Sequence, residues 1–322
     1  MIVYFQTHEV LVQGTCIALV LALSIQVPMR MGVFSFAGAG CYGISAYLSA
    51  ILVLERGFSP FAAIATSVVT TAAVGLVLGV IIQRLTGLYL AMVTFAFDLI
   101  IGVLVINGGN RTGGSTGLFG VITNFTTWHM LVLAAAAVTC AAVSELGRAG
   151  RRVEAVREDP ELASSMGINV SRYRLVAFTA SGALGGLAGA MTVMIRTTIA
   201  PRDIGFNLIV LGLTIIVVGG TRSWKGAVLG AVIITWLPSA LTSIGEWNTL
   251  VYGVMTVIAS IFLPRGLYGL WLSGVRWWQR HRRAPAPAPA LPDDAPDATS
   301  RLALASPGSP GAAAIELGEG VK

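Results

Sequence analysis

About nine apolar stretches, broken by one long polar segment at 145–174, leave this chain little choice of fold. The stretches cover 10–28, 31–54, 60–82, 87–106, 128–143, 175–195, 206–219, 224–237 and 247–263. A helix needs about 20 residues to cross ~30 Å of hydrocarbon, and most of the stretches are near that length. In lipid only helices and closed barrels satisfy every backbone N–H and C=O, and no period-two strand pattern is present. The expected fold class is therefore all-α, a polytopic integral membrane protein of about nine spans, within a range of eight to ten. The stretches at 206–219 and 224–237 are short, so either they tilt or they form a re-entrant pair buried in protein. Composition agrees. Charged residues make up 11% of the chain, against roughly 25% in soluble proteins, too few to cover a water-facing surface.

Lysine and arginine set the expected orientation. With the N-terminus outside and nine alternating spans, 17 of these residues lie inside and 4 outside, namely Arg56, Arg111, Arg196 and Arg202. The net charge of +6 thus follows membrane topology and does not mark a nucleic-acid partner. The first residues lack a basic n-region and a small-residue cleavage site, so the first span is expected to act as an uncleaved anchor. Cys16, Cys41 and Cys140 fall in apolar spans at spacings that fit neither a disulfide framework nor a metal site. The expected division is N-terminal spans at 1–144, a cytoplasmic loop at 145–174 and C-terminal spans at 175–270. An interfacial basic-aromatic segment at 271–283 and a disordered cytoplasmic tail at 284–322, rich in alanine and proline, follow.

The polar segment carries helix start and stop signals. Asp159 suits an N-cap and Pro160 the first helical position; Glu161 then lies near the positive end of the dipole. Gly167 suits the left-handed position that ends a helix. These signals predict a helix of about two turns on the water side of a membrane domain. Within the spans, Gly182, Gly185, Gly186 and Gly189 form two small-xxx-small pairs, which mark either tight packing or helices that line a path and slide. Asp98 is the only ionisable residue deep in a span, where an aspartate costs roughly 2.5–3.5 kcal/mol, so it is expected to face protein or water. It either hydrogen-bonds to a neighbouring helix or subunit, or lines the path and meets the ammonium of a passing amino acid. The chain has no Gly-x-x-x-x-Gly-Lys-Ser/Thr loop, nucleophile elbow or metalloprotease motif, so an enzyme is not expected.

The polar segment, with Gly147-Arg148, Ala155-Val156-Arg157-Glu158-Asp159, Ala163 and Gly167-Ile168-Asn169-Val170, resembles the cytoplasmic loop of a known family. That family is the permease subunits of bacterial branched-chain amino acid ABC transporters. Glu161-Leu162-Ala163-x-x-x-Gly167 is similar to the Glu-Ala-Ala-x-x-x-Gly pattern through which ABC permeases contact their ATPases. Gly43-Ile44-Ser45-Ala46-Tyr47, Gly87-Leu88-Tyr89-Leu90-Ala91-Met92-Val93-Thr94 and Thr112-Gly113-Gly114-Ser115-Thr116-Gly117-Leu118 resemble family motifs in order and spacing. So do Gly219-Gly220, Gly226-Ala227-Val228-Leu229-Gly230-Ala231 and Pro264-Arg265-Gly266-Leu267-Tyr268-Gly269-Leu270. Two departures sit where substrate would pass. Ala37-Gly38 stands where the family has Gly-Gln or Gly-His, and Asp98 lies one residue before the family's acid, aligned at Leu99.

The resemblance implies a multi-pass subunit of the bacterial inner membrane, in an ATP-driven importer of branched-chain amino acids or related small polar compounds, amides and urea included. Its implied partners are a homologous second permease, two cytoplasmic ABC ATPases and a periplasmic or lipid-anchored substrate-binding protein. ATP and Mg would bind the ATPases, leaving no cofactor on this chain. Arg157, Glu158, Asp159, Glu161, Ala163 and Gly167 would form the ATPase contact; Gly43, Tyr47, Thr94 and Asp98 are candidate path residues. Two other readings stand beside this one: a secondary transporter driven by an ion gradient, and a non-transporting scaffold subunit.

Overall fold

The structure, a computed structural model, describes residues 8–85, 87–240 and 253. Ten α-helices account for most of them: α1 (Glu9–Met29), α2 (Ala37–Arg56), α3 (Pro60–Ile82), α4 (Gly87–Asn107), α5 (Thr127–Glu145), α6 (Gly147–Glu158), α7 (Pro160–Ser165), α8 (Val170–Arg196), α9 (Phe206–Gly219) and α10 (Trp224–Ala240). Among the described residues, seven segments are long and apolar enough to cross a membrane: α1 to α5, α8, and Pro201–Gly219, which includes α9. The expected eighth stretch is α10, and α9 and α10 pack against each other and against α1. The expected ninth, at 247–263, lies outside the described residues, as do the 264–270 motif, the basic-aromatic segment and the tail.

Helix α8 is the spine, packed on α1, α2 and α3. The glycines noted in the sequence explain how it holds three neighbours. A Cβ at Gly185 or Gly189 would collide with the carbonyl oxygens of Gly38 or Tyr42 on α2. One at Gly182 or Gly186 would collide with Thr71 on α3, and Gly75 returns the contact, its own Cβ position lying 2.5 Å from the Phe178 oxygen. The two small-residue pairs therefore serve adjacent faces of one helix, about 60° apart, and both seams are packing within this subunit. The Ser45 hydroxyl donates across the α2 seam to the Gly186 oxygen at 2.6 Å, and the Tyr42 hydroxyl lies 3.0 Å from Thr192 Oγ1.

A polar knot closes one end of the bundle. Glu145, at the end of α5, accepts from the Trp224 N–H at 2.7 Å and the Ser223 hydroxyl at 3.1 Å, capping the start of α10. The same carboxylate pairs with Arg30 at 3.4 Å, and Arg30 donates to the Ser144 hydroxyl. Burial pushes the Arg30 guanidinium down from its ordinary value, while the Glu145 and Glu154 carboxylates pull it back up. The Gln26 amide, buried in α1, donates to the carbonyls of Gly220 (3.2 Å), just past α9, and Ser223 (3.0 Å), just before α10. At the opposite end, β1 (Leu118–Phe119) pairs antiparallel with β2 (Thr198–Ile199) and ties the α4–α5 loop to the α8–α9 loop.

Three sequence expectations need correcting. The second span starts at Ala37, not 31, because Gly32 turns the chain and Phe36 N–H is held by the Thr94 hydroxyl at 3.1 Å. Met31, Val33 and Phe36 are apolar and buried in protein, which hydropathy cannot separate from a span. The sixth span starts at Val170, not 175, capped by Asn169 on the Arg172 N–H at 3.0 Å. The polar segment holds two helices, α6 and α7, where one was expected.

Candidate functional site

The polar segment builds a platform beneath the end of the bundle closed by the Arg30–Glu145 knot. Helix α6 is polar except on one side, where Val153 and Val156 are buried. Val153 packs with Met31 from the α1–α2 turn and Ala177 from α8, with Val27 and Tyr173 beside them. The end of α6 also closes on that turn, the Cβ position of Gly32 lying 3.4 Å from the Arg157 oxygen. Helix α6 is thus packed on α1, on α8 and on the turn that leads into α2.

Helix α7 follows after one extended residue. Asp159 caps it as expected, Oδ1 accepting from the Glu161 N–H at 2.9 Å and the Leu162 N–H at 3.0 Å. Gly167 ends it with φ of +81°, the left-handed conformation the sequence required. The Gly167 N–H donates to the Ser164 oxygen and the Ile168 N–H to the Ala163 oxygen, both at 3.0 Å, which is the paired bonding of a Schellman cap. Ala163 is buried under the helix; Glu158, Asp159 and Glu161 are exposed, and Arg157 is half-buried. Sequence reasoning missed Leu162 and Met166, two apolar side chains four residues apart and 58% and 74% exposed. Their spacing was the signal, since i and i+4 share a helix face. The six residues of α7 and the Met166 cap thus present an exposed apolar knob with an acidic edge.

Of the candidate path residues, Gly43, Thr94 and Asp98 lie along the seam between α2 and α4. Gly40 faces Phe97, its Cβ position 2.5 Å from the ring, and lies 3.4 Å from the Asp98 Cα. Gly43, one turn on, faces Ile101 and Ile204 at 3.4 Å. Thr94 and Asp98 share one face of α4 and are buried there. Thr94 holds the start of α2 through Phe36, so its placement is that of a cap. Tyr47 is buried on α2 with its hydroxyl unpartnered among the described residues. Asp98 is 2% exposed, so it faces protein as expected, yet its Oδ2 has no hydrogen-bond partner among the described residues. Among these residues no cluster of three His, Cys, Asp or Glu side chains could hold a metal.

A family model described as "Branched-chain amino acid transport system / permease component" matches residues 7–260. The high-affinity branched-chain amino acid transport system permease protein LivM of Salmonella typhimurium is 28% identical over 288 residues, covering 79% of this chain and 68% of its own. LivM of Escherichia coli matches to the same extent. LivH of Salmonella typhimurium, a permease protein of the same named system, is 29% identical over 170 residues, 51% of this chain and 54% of its own. No solved structure gives a significant match.

Proposed function

The chain belongs to the permease family of branched-chain amino acid transport systems, and on that premise we propose that it is the membrane subunit of an ATP-driven importer, coupled to separate ATPases through α7. The observation that carries this reading is the apolar knob of Leu162 and Met166, on a short helix capped at both ends and braced to the bundle by α6. Burying two such side chains in a groove is worth roughly 1.5–3 kcal/mol each, enough to hold a docking contact. Closure of the ATPases on ATP would push α7. Val153 would pass that push to Met31 and Ala177, hence to α1 and to α8, which carries the α2 and α3 seams. Coupling of this kind needs an element with two discrete arrangements, and the packed unit of α6, α7 and α8 is the one proposed.

The remaining assignments follow from the same reading. The platform at 145–169 and the tail at 284–322 face the cytoplasm, the N-terminus faces the periplasm, and the spans divide as 1–144 and 170–270. A second permease stands beside this one, as similarity to both LivM and LivH supports. Two ATPases that bind ATP and Mg lie below, and a periplasmic or lipid-anchored binding protein delivers the substrate. This chain hydrolyses nothing and needs no cofactor. The cargo is a branched-chain amino acid or a related small polar compound.

Site-specific photo-crosslinking tests the central contact. A photoreactive residue at Leu162 or Met166 is expected to capture an ATPase chain in membranes, whereas one at Val176, exposed on α8, is not. Capture from position 176 alone would refute the assignment of α7.

A further inference from the structure

Helix α9 begins inside the protein, and Asp98 is at its start. The helix has 14 residues, so it rises ~21 Å, about two thirds of a ~30 Å hydrocarbon layer. It ends at Gly219, in the polar knot at the platform end, so its first turn lies well below the opposite membrane face. Asp98 is eleven residues along α4 from Gly87, ~16 Å from the same end, and so at similar depth. The chain enters α9 through Gly205, with φ of +96°, and no side chain caps the helix there. A Cβ at Gly205 would lie 4.0 Å from Asp98 Oδ2 with no nearer atom. A buried carboxylate oxygen with no hydrogen-bond partner among the described residues therefore faces a helix start without a side-chain cap.

Each half of that arrangement wants a charge. The first N–H groups of a helix have no partner within it and carry partial positive charge, so they hold anions. Asp98 carries the opposite charge and wants a cation. A neutral ligand would leave both unsatisfied, and a simple anion would be repelled by Asp98. A molecule with an ammonium and a carboxylate on one carbon satisfies both. Beside this pair stand Phe95, one turn from Asp98, and Phe206, the first residue of α9, with ring centroids 6.1 Å apart, edge to face. Phe95 also borders an apolar hollow of about 410 Å³ continued by Phe36, Ala91 and Met92. Aliphatic substituents would find apolar surface there.

We infer that Asp98 and the first turn of α9 form a head-group site for a zwitterionic α-amino acid, the ammonium on the carboxylate and the carboxylate on the helix N–H groups. A passing substrate takes both partners. This deepens the proposed function, on which it rests, by naming the substrate class: free α-amino acids, with amides and urea excluded from this site.

The test uses the complex purified from membranes through a tag on this chain, without any binding protein, with thermal unfolding followed during titration. Leucine is expected to raise the midpoint, while 4-methylpentanoic acid (no ammonium) and 3-methylbutylamine (no carboxylate) leave it unchanged at the same concentrations. Asp98→Asn removes a hydrogen bond to a charged group and is expected to raise the half-saturating leucine concentration about tenfold; Asp98→Glu is expected to retain binding. An equal shift from either analogue, a shift that follows sodium in place of choline, or leucine binding unchanged in Asp98→Asn would each overturn the inference. So would wild-type complex with no leucine shift, and leucine uptake driven by ATP after that complex is placed in liposomes with its binding protein would then show that the proposed function stands without it.

Discussion

Replacing Gly167 by valine tests the platform with the least collateral damage. At φ of +81° a β-branched residue is strained, and no atom lies within 4 Å of the added Cβ position, so the whole cost falls on the backbone. A non-glycine residue in the left-handed region costs roughly 1–2 kcal/mol. Relieving that strain would break the two cap hydrogen bonds from Gly167 and Ile168, at about 0.5–1.5 kcal/mol each. A helix of six residues has no stability of its own to draw on. The correctly formed knob should therefore lose about 2 kcal/mol, close to a thirtyfold drop in its population relative to unfolded alternatives. ATP-driven leucine uptake in proteoliposomes is expected to fall at least about tenfold, with normal insertion and normal assembly on native gels. Gly167→Asn, which tolerates the left-handed region, is expected to keep most of the activity. Wild-type uptake in the valine variant, at equal protein, would refute the role given to this cap.

Three further outcomes follow. Gly185→Ala drives a Cβ into the Gly38 oxygen and is expected to cost about 1–3 kcal/mol, read as a lower unfolding temperature in detergent; Gly102→Ala, which meets nothing within 4 Å, should be silent, and equal effects would deny the seam. Glu145→Ala strips Arg30 of its ion pair and the start of α10 of its cap, and a double-mutant cycle with Arg30→Ala is expected to give a coupling energy of about 1 kcal/mol; strict additivity would mean the pair does not matter. In a cysteine-free background, Glu55→Cys is expected to react with an impermeant reagent in intact cells and Ser164→Cys only after the membrane is opened. The reverse pattern would overturn the orientation.

The spans were legible where chain signals and hydropathy coincide. Pro60 at a helix start and Gly219 at a helix end gave α3 and α9 their bounds directly. Asp159 and Gly167 gave α7, because a cap is a local event that needs no tertiary partner. Met31, Val33 and Phe36 misled because apolar residues buried in protein read like those buried in lipid. Helix α6 was missed because only two of its residues, Val153 and Val156, mark a buried side among arginines and glutamates. The Glu145 knot was illegible in principle. It joins residues 30, 145 and 224, and nothing local to Glu145 marks it as the cap of a helix 79 residues away. Asp98 was recognised as costly, but its neighbour at Gly205 came only from the fold.

The central claim is that ATP hydrolysis by partner chains drives transport through this one. Its most direct measurement is uptake of radiolabelled leucine into liposomes holding the purified complex and its binding protein. Uptake is expected to require ATP and Mg inside the compartment that faces the platform, and to persist when ionophores collapse every ion gradient. Uptake that proceeds without ATP and stops with the ionophores would contradict the account and identify a transporter driven by an ion gradient.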